Sequence, residues 1–125
     1  MKLLGIDFGL KNIGLAISDG LLAETFGVIK NENQIIRICQ EQGIEKIIIG
    51  LSEAKMAKKT REFGERLTRI TGLTVEYQDE TLTSQEAKEL MVKIGKPKKK
   101  RQKQIDTIAA ALILQSYLDK ISQEG

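Results

Sequence analysis

One acid in the middle of a sheet-like stretch constrains this chain more than any other feature. Residues 3–19 read LLGIDFGLKNIGLAISD. Leu3, Leu4 and Ile6 form a short apolar strand leading up to Asp7. Gly9-Leu10-Lys11-Asn12 supply turn chemistry, and Ile13, Leu15 and Ile17 then alternate with Gly14, Ala16 and Ser18. The pattern predicts a β-hairpin whose first strand carries a carboxylate. An ionised carboxylate in a central strand is costly unless it is paired, hydrogen-bonded or bound to a cation, which makes Asp7 a candidate functional residue. The plainer alternative is an Asp at the strand's end that bonds the amides of the following glycine turn. Gly5, Gly14 and Ala16 point to something approaching the backbone closely nearby.

The rest of the chain surrounds that hairpin with alternating elements. Asp19-Gly20 reads as a turn and Ala23 to Ile29 as a third strand with Phe26 and Val28 on one face. Asn31 to Gln42 has helical spacing and is stopped by Gly43. Ile47-Ile48-Ile49-Gly50 is the continuous β-branched run expected of a parallel strand covered on both faces. A long amphipathic helix follows, with Thr60, Phe63, Gly64, Leu67 and Ile70 on one face and Lys55, Lys58, Lys59, Arg61, Arg66 and Arg69 on the other. Leu73, Val75 and Tyr77 alternate as a further strand ending at Gln78-Asp79-Glu80. Thr83-Ser84-Gln85-Glu86 is a capping box, and Ala87, Leu90, Met91 and Ile94 give the helix it opens an apolar stripe that ends at Gly95 and Pro97. The last helix is expected from about Gln104 to Ile121. Three strands joined by hairpins, then alternating helices and strands, describe one α/β domain over residues 1–125: a five-stranded mixed sheet flanked by helices. The functional crevice of such a sheet lies beyond the carboxyl ends of its parallel strands, where Asp79 and Glu80 fall.

Composition removes several chemistries. Histidine is absent, which excludes Ser-His and Cys-His mechanisms and histidine metal ligands. Cys39 is the sole cysteine, so there is no intrachain disulfide, and its place in a helix reads as a small buried thiol. Any metal should be hard and oxygen-loving. No apolar run approaches the roughly 18 residues of a membrane span, and MKLLGIDFG is no signal peptide, so a cytoplasmic protein with no membrane partner is expected.

Asp106 is the third conspicuous acid, in the first turn of a helix that is almost entirely apolar from Ile105 to Leu114 apart from Asp106 and Thr107. Residues 106, 110, 113 and 117 share a face, and the alanines let that helix approach the sheet closely. The alternative for Asp106 is simple complementarity to the helix dipole. If Asp7, Glu80 and Asp106 converge, each close pair repels by about 4 kcal/mol at an effective dielectric near 20, and a divalent cation is the simplest compensation. Carboxylates around one or two Mg²⁺ or Mn²⁺ ions form a phosphodiester-cleaving site that needs no histidine. Asp79 is the alternative to Glu80, since neighbouring strand residues point to opposite faces. The net charge of +3 says little, but Lys96, Lys98, Lys99, Lys100, Arg101 and Lys103 crowd one short segment, as phosphate binding requires. Lys11, in the turn after Asp7, is a further candidate phosphate contact. With Phe8, Phe26, Phe63, Tyr77 and Tyr117 mostly at core-like positions, no aromatic platform for stacked bases is visible.

In that order GIDFGLKNIGLAISD, IIIGL, DETLTSQEA and KKKRQKQIDTIAAALILQSYLD resemble the YqgF family, also called RuvX, over nearly the whole chain. The resemblance implies a ribonuclease H-like fold, acidic site residues at Asp7, Glu80 and Asp106, and a cytoplasmic bacterial nuclease. Its substrate would be the 5′ end of pre-16S ribosomal RNA or, as the alternative, a Holliday junction. Two positions depart from the family's usual pattern. Asn12 stands where a basic residue is usual, and Ser52-Glu53-Ala54-Lys55 stands where a proline and a glycine-containing polar loop are usual. The partner is then structured RNA or branched DNA, with the protein a monomer or homodimer; a junction-resolving enzyme would be the dimer, because symmetric cuts need two sites. Two other readings compete: a phosphate-cradling domain of actin-like kinases, which would need a second domain, and a catalytically silent nucleic-acid-binding or regulatory module.

Overall fold

The computed structural model describes residues 1–51, 55–79 and 98–124, with side chains described for 1–51, 55–79 and 103–122. In chain order the described elements are β1 (Leu3–Phe8), β2 (Ile13–Ser18), β3 (Ala23–Ile29), α1 (Gln34–Gln42), β4 (Lys46–Leu51), α2 (Ala57–Thr71), β5 (Thr74–Asp79) and α3 (Lys98–Glu124). The strands form one sheet in the order β3-β2-β1-β4-β5. The first two pairings, β1 with β2 and β2 with β3, are antiparallel, while β4 lies parallel to β1 and β5 parallel to β4. The expected five-stranded mixed sheet flanked by helices is therefore present. The helix expected after the capping box at Thr83 lies outside the described residues.

Strand alternation divides the core between the two faces of the sheet. On one face Leu4, Ile6, Ile13, Leu15, Ile47 and Ile49 pack with Ile35 and Cys39 of α1 and with Phe63 and Leu67 of α2. Phe8 at the end of β1 stacks on Phe63 with ring centroids 4.2 Å apart, which sets the level of α2 against the sheet. On the other face Leu3, Ala16 and Ile48 pack with Ala110, Ile113, Leu114, Tyr117 and Leu118 of α3. The isoleucine run of β4 supplies both faces, as a covered parallel strand requires. Cys39 is buried, and burial pushes its thiol up to about 11, so it is an inert core residue. Among the described residues no helix is long and apolar enough to cross a membrane.

Three boundaries and two faces differ from expectation. Residue 31 does not begin a helix: the Asn31 side chain accepts a bond from the Asn33 amide at 2.9 Å, and this local turn delays α1 until Gln34. The final helix starts at Lys98 rather than near Gln104, because lysine, arginine and glutamine are good helix formers that carry no apolar periodicity to announce them. The last strand begins at Thr74, one residue after Leu73. Phe26 is not in the core but 40 % exposed, because Ala16 pairs with Thr25 and Leu15 with Gly27, leaving Phe26 as the extra residue of a β-bulge. Ile70 is likewise 41 % exposed near the end of α2.

A lock at the amino ends of the parallel strands holds α3 in register. Lys46 of β4 donates to the Tyr117 hydroxyl of α3 at 3.2 Å and to Glu76 of β5 at 3.3 Å. The Tyr117 hydroxyl, and after it Lys46, hold the Glu76 carboxyl below its usual range, and the bond to Tyr117 holds Lys46 above its own. Gln115 adds a second tie by accepting the Ala23 amide at 2.9 Å.

The stacked pair predicts unequal costs for two phenylalanines. Phe63→Ala should cost about 3–5 kcal/mol, whereas Phe26→Ala should cost roughly 1 kcal/mol or less. Urea unfolding of the two variants measures the difference; equal costs would contradict the assigned faces.

Candidate active site

On β1, alternation sends Leu4, Ile6 and Phe8 toward α1 and α2, and Leu3, Gly5 and Asp7 toward α3. Asp7 is half-buried and pairs across the hairpin with Gly14. A β-carbon added to Gly14 would collide with the carbonyl oxygen of Asp106 and stand 3.1 Å from the Asp106 Cβ. Gly14 is therefore the floor on which the first turns of α3 rest. One turn further along, a β-carbon on Gly5 would stand 2.7 Å from Leu114 Cβ and 3.0 Å from the Ala110 carbonyl oxygen. Asp7 and the half-buried Asp106 therefore stand on the same, α3-facing side of the β1–β2 pair, both beside Gly14.

The third acid is located less fully. Glu80 lies outside the described residues, as do residues 52–54. Asp79 ends β5, is exposed, and by alternation shares the side of Val75 and Tyr77, which pack toward α2. It therefore faces away from the side occupied by Asp7 and Asp106. Among the described residues no group of three or more acidic or cysteine side chains forms a ready cation cage. Two aspartates on one face offer hard oxygen donors that suit Mg²⁺ or Mn²⁺ and do not suit a soft metal.

Basic residues lie along the elements near this end of the sheet. Lys11 is exposed in the turn between β1 and β2. Lys98, Lys99, Lys100 and Arg101 open α3, and Lys103 follows, exposed, three residues before Asp106. The antiparallel run of α3 over β1 carries these residues beyond the carboxyl edge of the sheet, at about 1.5 Å per residue. No acid stands in the first turn of α3. Cations at the positive end of a helix dipole cost about 0.3–1 kcal/mol each when nothing offsets them, so this arrangement does not serve helix stability. The sequence marked Gly14 as a point of close approach, but it did not reveal that the approaching group is the backbone of Asp106 itself.

A mixed sheet in this order, with an acid at the end of its first strand and a second on a helix crossing it, is a ribonuclease H-like fold. RuvC from Thermus thermophilus, solved in complex with a Holliday junction substrate, superposes with a TM-score of 0.61 at 14 % identity, covering 96 % of each chain. A second Thermus thermophilus RuvC structure gives 0.54 at 16 % identity over 90 % of this chain and 92 % of that one. At sequence level, the family model described as "RuvX: Holliday junction resolvase" matches residues 1–120, and the chain belongs to that family. A protein of Syntrophus aciditrophicus named "Putative pre-16S rRNA nuclease" is 40 % identical over 99 % of this chain and 92 % of its own length. Proteins of the same name from Agathobacter rectalis and Thermosynechococcus vestitus are 37 % and 38 % identical, each over 98 % of this chain and 97 % and 91 % of their own lengths.

Two glycines provide an internal comparison. Gly14→Ala should destabilise by about 1–3 kcal/mol through overpacking against α3. Gly27→Ala, with nothing within 4 Å of the added carbon, should be neutral or slightly stabilising. Thermal and urea unfolding measure both; a tolerated Gly14→Ala would mean that α3 does not rest on β2.

Proposed function

We propose that this protein is a cytoplasmic divalent-metal-dependent endonuclease that processes the 5′ end of pre-16S ribosomal RNA, with Asp7, Glu80 and Asp106 holding the ions. The observation that supports the reading is that Asp7 pairs with Gly14 across the hairpin while Asp106 packs against the same glycine on the α3 face of the sheet. Family membership and the names of relatives 33–40 % identical support the activity and the substrate. Glu80 joins them on the family resemblance, and of the two neighbouring acids Asp79 is disfavoured because it lies on the α2 side.

Bound Mg²⁺ or Mn²⁺ would activate water and stabilise charge on the attacking and leaving oxygens. The chain's own part is positional. Asp7 is held by the hairpin register, and Asp106 by the contact of α3 with Gly14 and by the Lys46–Tyr117 lock at its far end. Lys11 and the residues Lys98, Lys99, Lys100, Arg101 and Lys103 lie at the same edge, where cations neutralise phosphates and release counterions. Recognition would then follow backbone and shape, since Phe8, Phe63, Tyr77 and Tyr117 are packed into the two faces.

The family's description and the RuvC complex favour one second reading, a branched DNA substrate. That reading calls for a homodimer, whereas RNA processing is served equally by a monomer.

Asp7→Asn and Asp106→Asn should each lower cleavage of a pre-16S 5′-leader RNA by about 100-fold or more, equivalent to ~2.7 kcal/mol of transition-state stabilisation. Binding of that RNA should persist. Gel-based cleavage and binding assays on the same preparations separate the readings: unchanged cleavage would remove the acids from the chemistry, and cleavage of a four-way DNA junction alone would transfer the activity to DNA.

A further inference from the structure

The basic face of α2 is not used by the site described above, although its charge is unevenly distributed. Residues 55–61, Lys-Met-Ala-Lys-Lys-Thr-Arg, carry four cations and no acid, whereas Glu62 and Glu65 come only afterwards. Farther along, Arg66 is engaged by Glu32 through two bonds of 3.0 and 3.1 Å. Arg61 rests over the Tyr77 ring, 5.2 Å from its centroid. Lys55, Lys58 and Lys59 are exposed and take part in no ion pair among the described residues. The first turn of α2 contains no acid, so these lysines oppose the helix dipole just as the cations opening α3 do.

Their position is fixed by packing. Phe63 stacks on Phe8, which ends β1 one residue after Asp7. Lys59 and Lys58 lie four and five residues earlier on α2, which places them roughly 6–8 Å beyond that level along the helix axis. They therefore emerge past the same carboxyl edge as Asp7, on the face opposite α3. Basic helix starts on both faces bracket the edge that holds the acids.

We infer that the start of α2, through Lys55, Lys58 and Lys59, is a second phosphate-binding surface, and that a nucleic-acid backbone crosses the sheet edge from the α3 side to the α2 side. The inference rests on the proposed nuclease function and adds where the substrate lies. No base is read by these lysines; they bind phosphates of any sequence.

The test is the salt dependence of binding to a fluorescein-labelled RNA stem with single-stranded flanks, measured by anisotropy. Full-length protein carrying Lys55→Ala, Lys58→Ala and Lys59→Ala together should flatten the slope of log K against log salt by about 2 to 3, with tenfold or greater loss of affinity. KM for cleavage should rise while kcat at saturating RNA is retained. The triple Lys→Arg variant should restore both slope and affinity, and the alanine variant should unfold in urea at the wild-type midpoint, so that its weaker binding is not a folding defect. An alanine variant with the wild-type slope overturns the inference. If Lys98→Ala, Lys99→Ala and Lys100→Ala together abolish binding in that case, the proposed function stands without it. A wild-type protein that binds neither the RNA stem nor a four-way DNA junction overturns both.

Discussion

The close approach of α3 to the hairpin is the contact on which the rest of the structure depends. Where Gly5 and Gly14 face the helix, backbone and β-carbon atoms of Ala110, Leu114 and Asp106 occupy the space that side chains would otherwise fill. Protein interiors tolerate little change in volume at such a point, so the two glycines fix how near the helix can lie. That proximity brings the carboxylates of Asp7 and Asp106, 99 positions apart in the chain, onto one side of one strand pair. The Lys46, Glu76 and Tyr117 cluster fixes the same helix at the opposite end of the sheet, so α3 can neither slide nor lift without breaking packed contacts.

The sheet separates stability from chemistry. One face, covered by α1 and α2, contains large interlocking side chains, including the Phe8–Phe63 stack. The other is built from small residues near the acids, with Gly5, Gly14 and Ala16 under α3. Polar groups collect where the strands end, and the helices on both faces begin there with cations instead of acids. Opposing the helix dipole on both sides is unfavourable locally, and an anionic partner at the edge reverses the sign of that interaction.

Much of this was legible in the sequence because the apolar periods are clean. The hairpin, the covered strand at Ile47–Ile49 and the stripe of α2 follow directly from alternation and three-four spacing. Asp7 stood out because a carboxylate interrupts an apolar strand, and Asp106 because it precedes a run of alanines. The start of α3 was hidden, since a run of lysines carries helical propensity without an apolar stripe. Phe26 was misread as core because a single bulged residue reverses the face of a strand, and periodicity cannot register it. The short start of α1 has a similar origin: the Asn31 turn is a side-chain bond that competes with the helix. The sequence left Asp79 and Glu80 as alternatives, and the packing of Tyr77 puts Asp79 on the α2 side, which periodicity alone did not assign.

The pairing of Asp7 with Asp106 is tested most directly by diffraction from crystals soaked in Mn²⁺, with anomalous data collected at the manganese edge. A peak lying between the two carboxylates, on the α3 face beside Gly14, is the predicted result. Anomalous density elsewhere on the molecule, with the two side chains turned apart around an empty space, would contradict it.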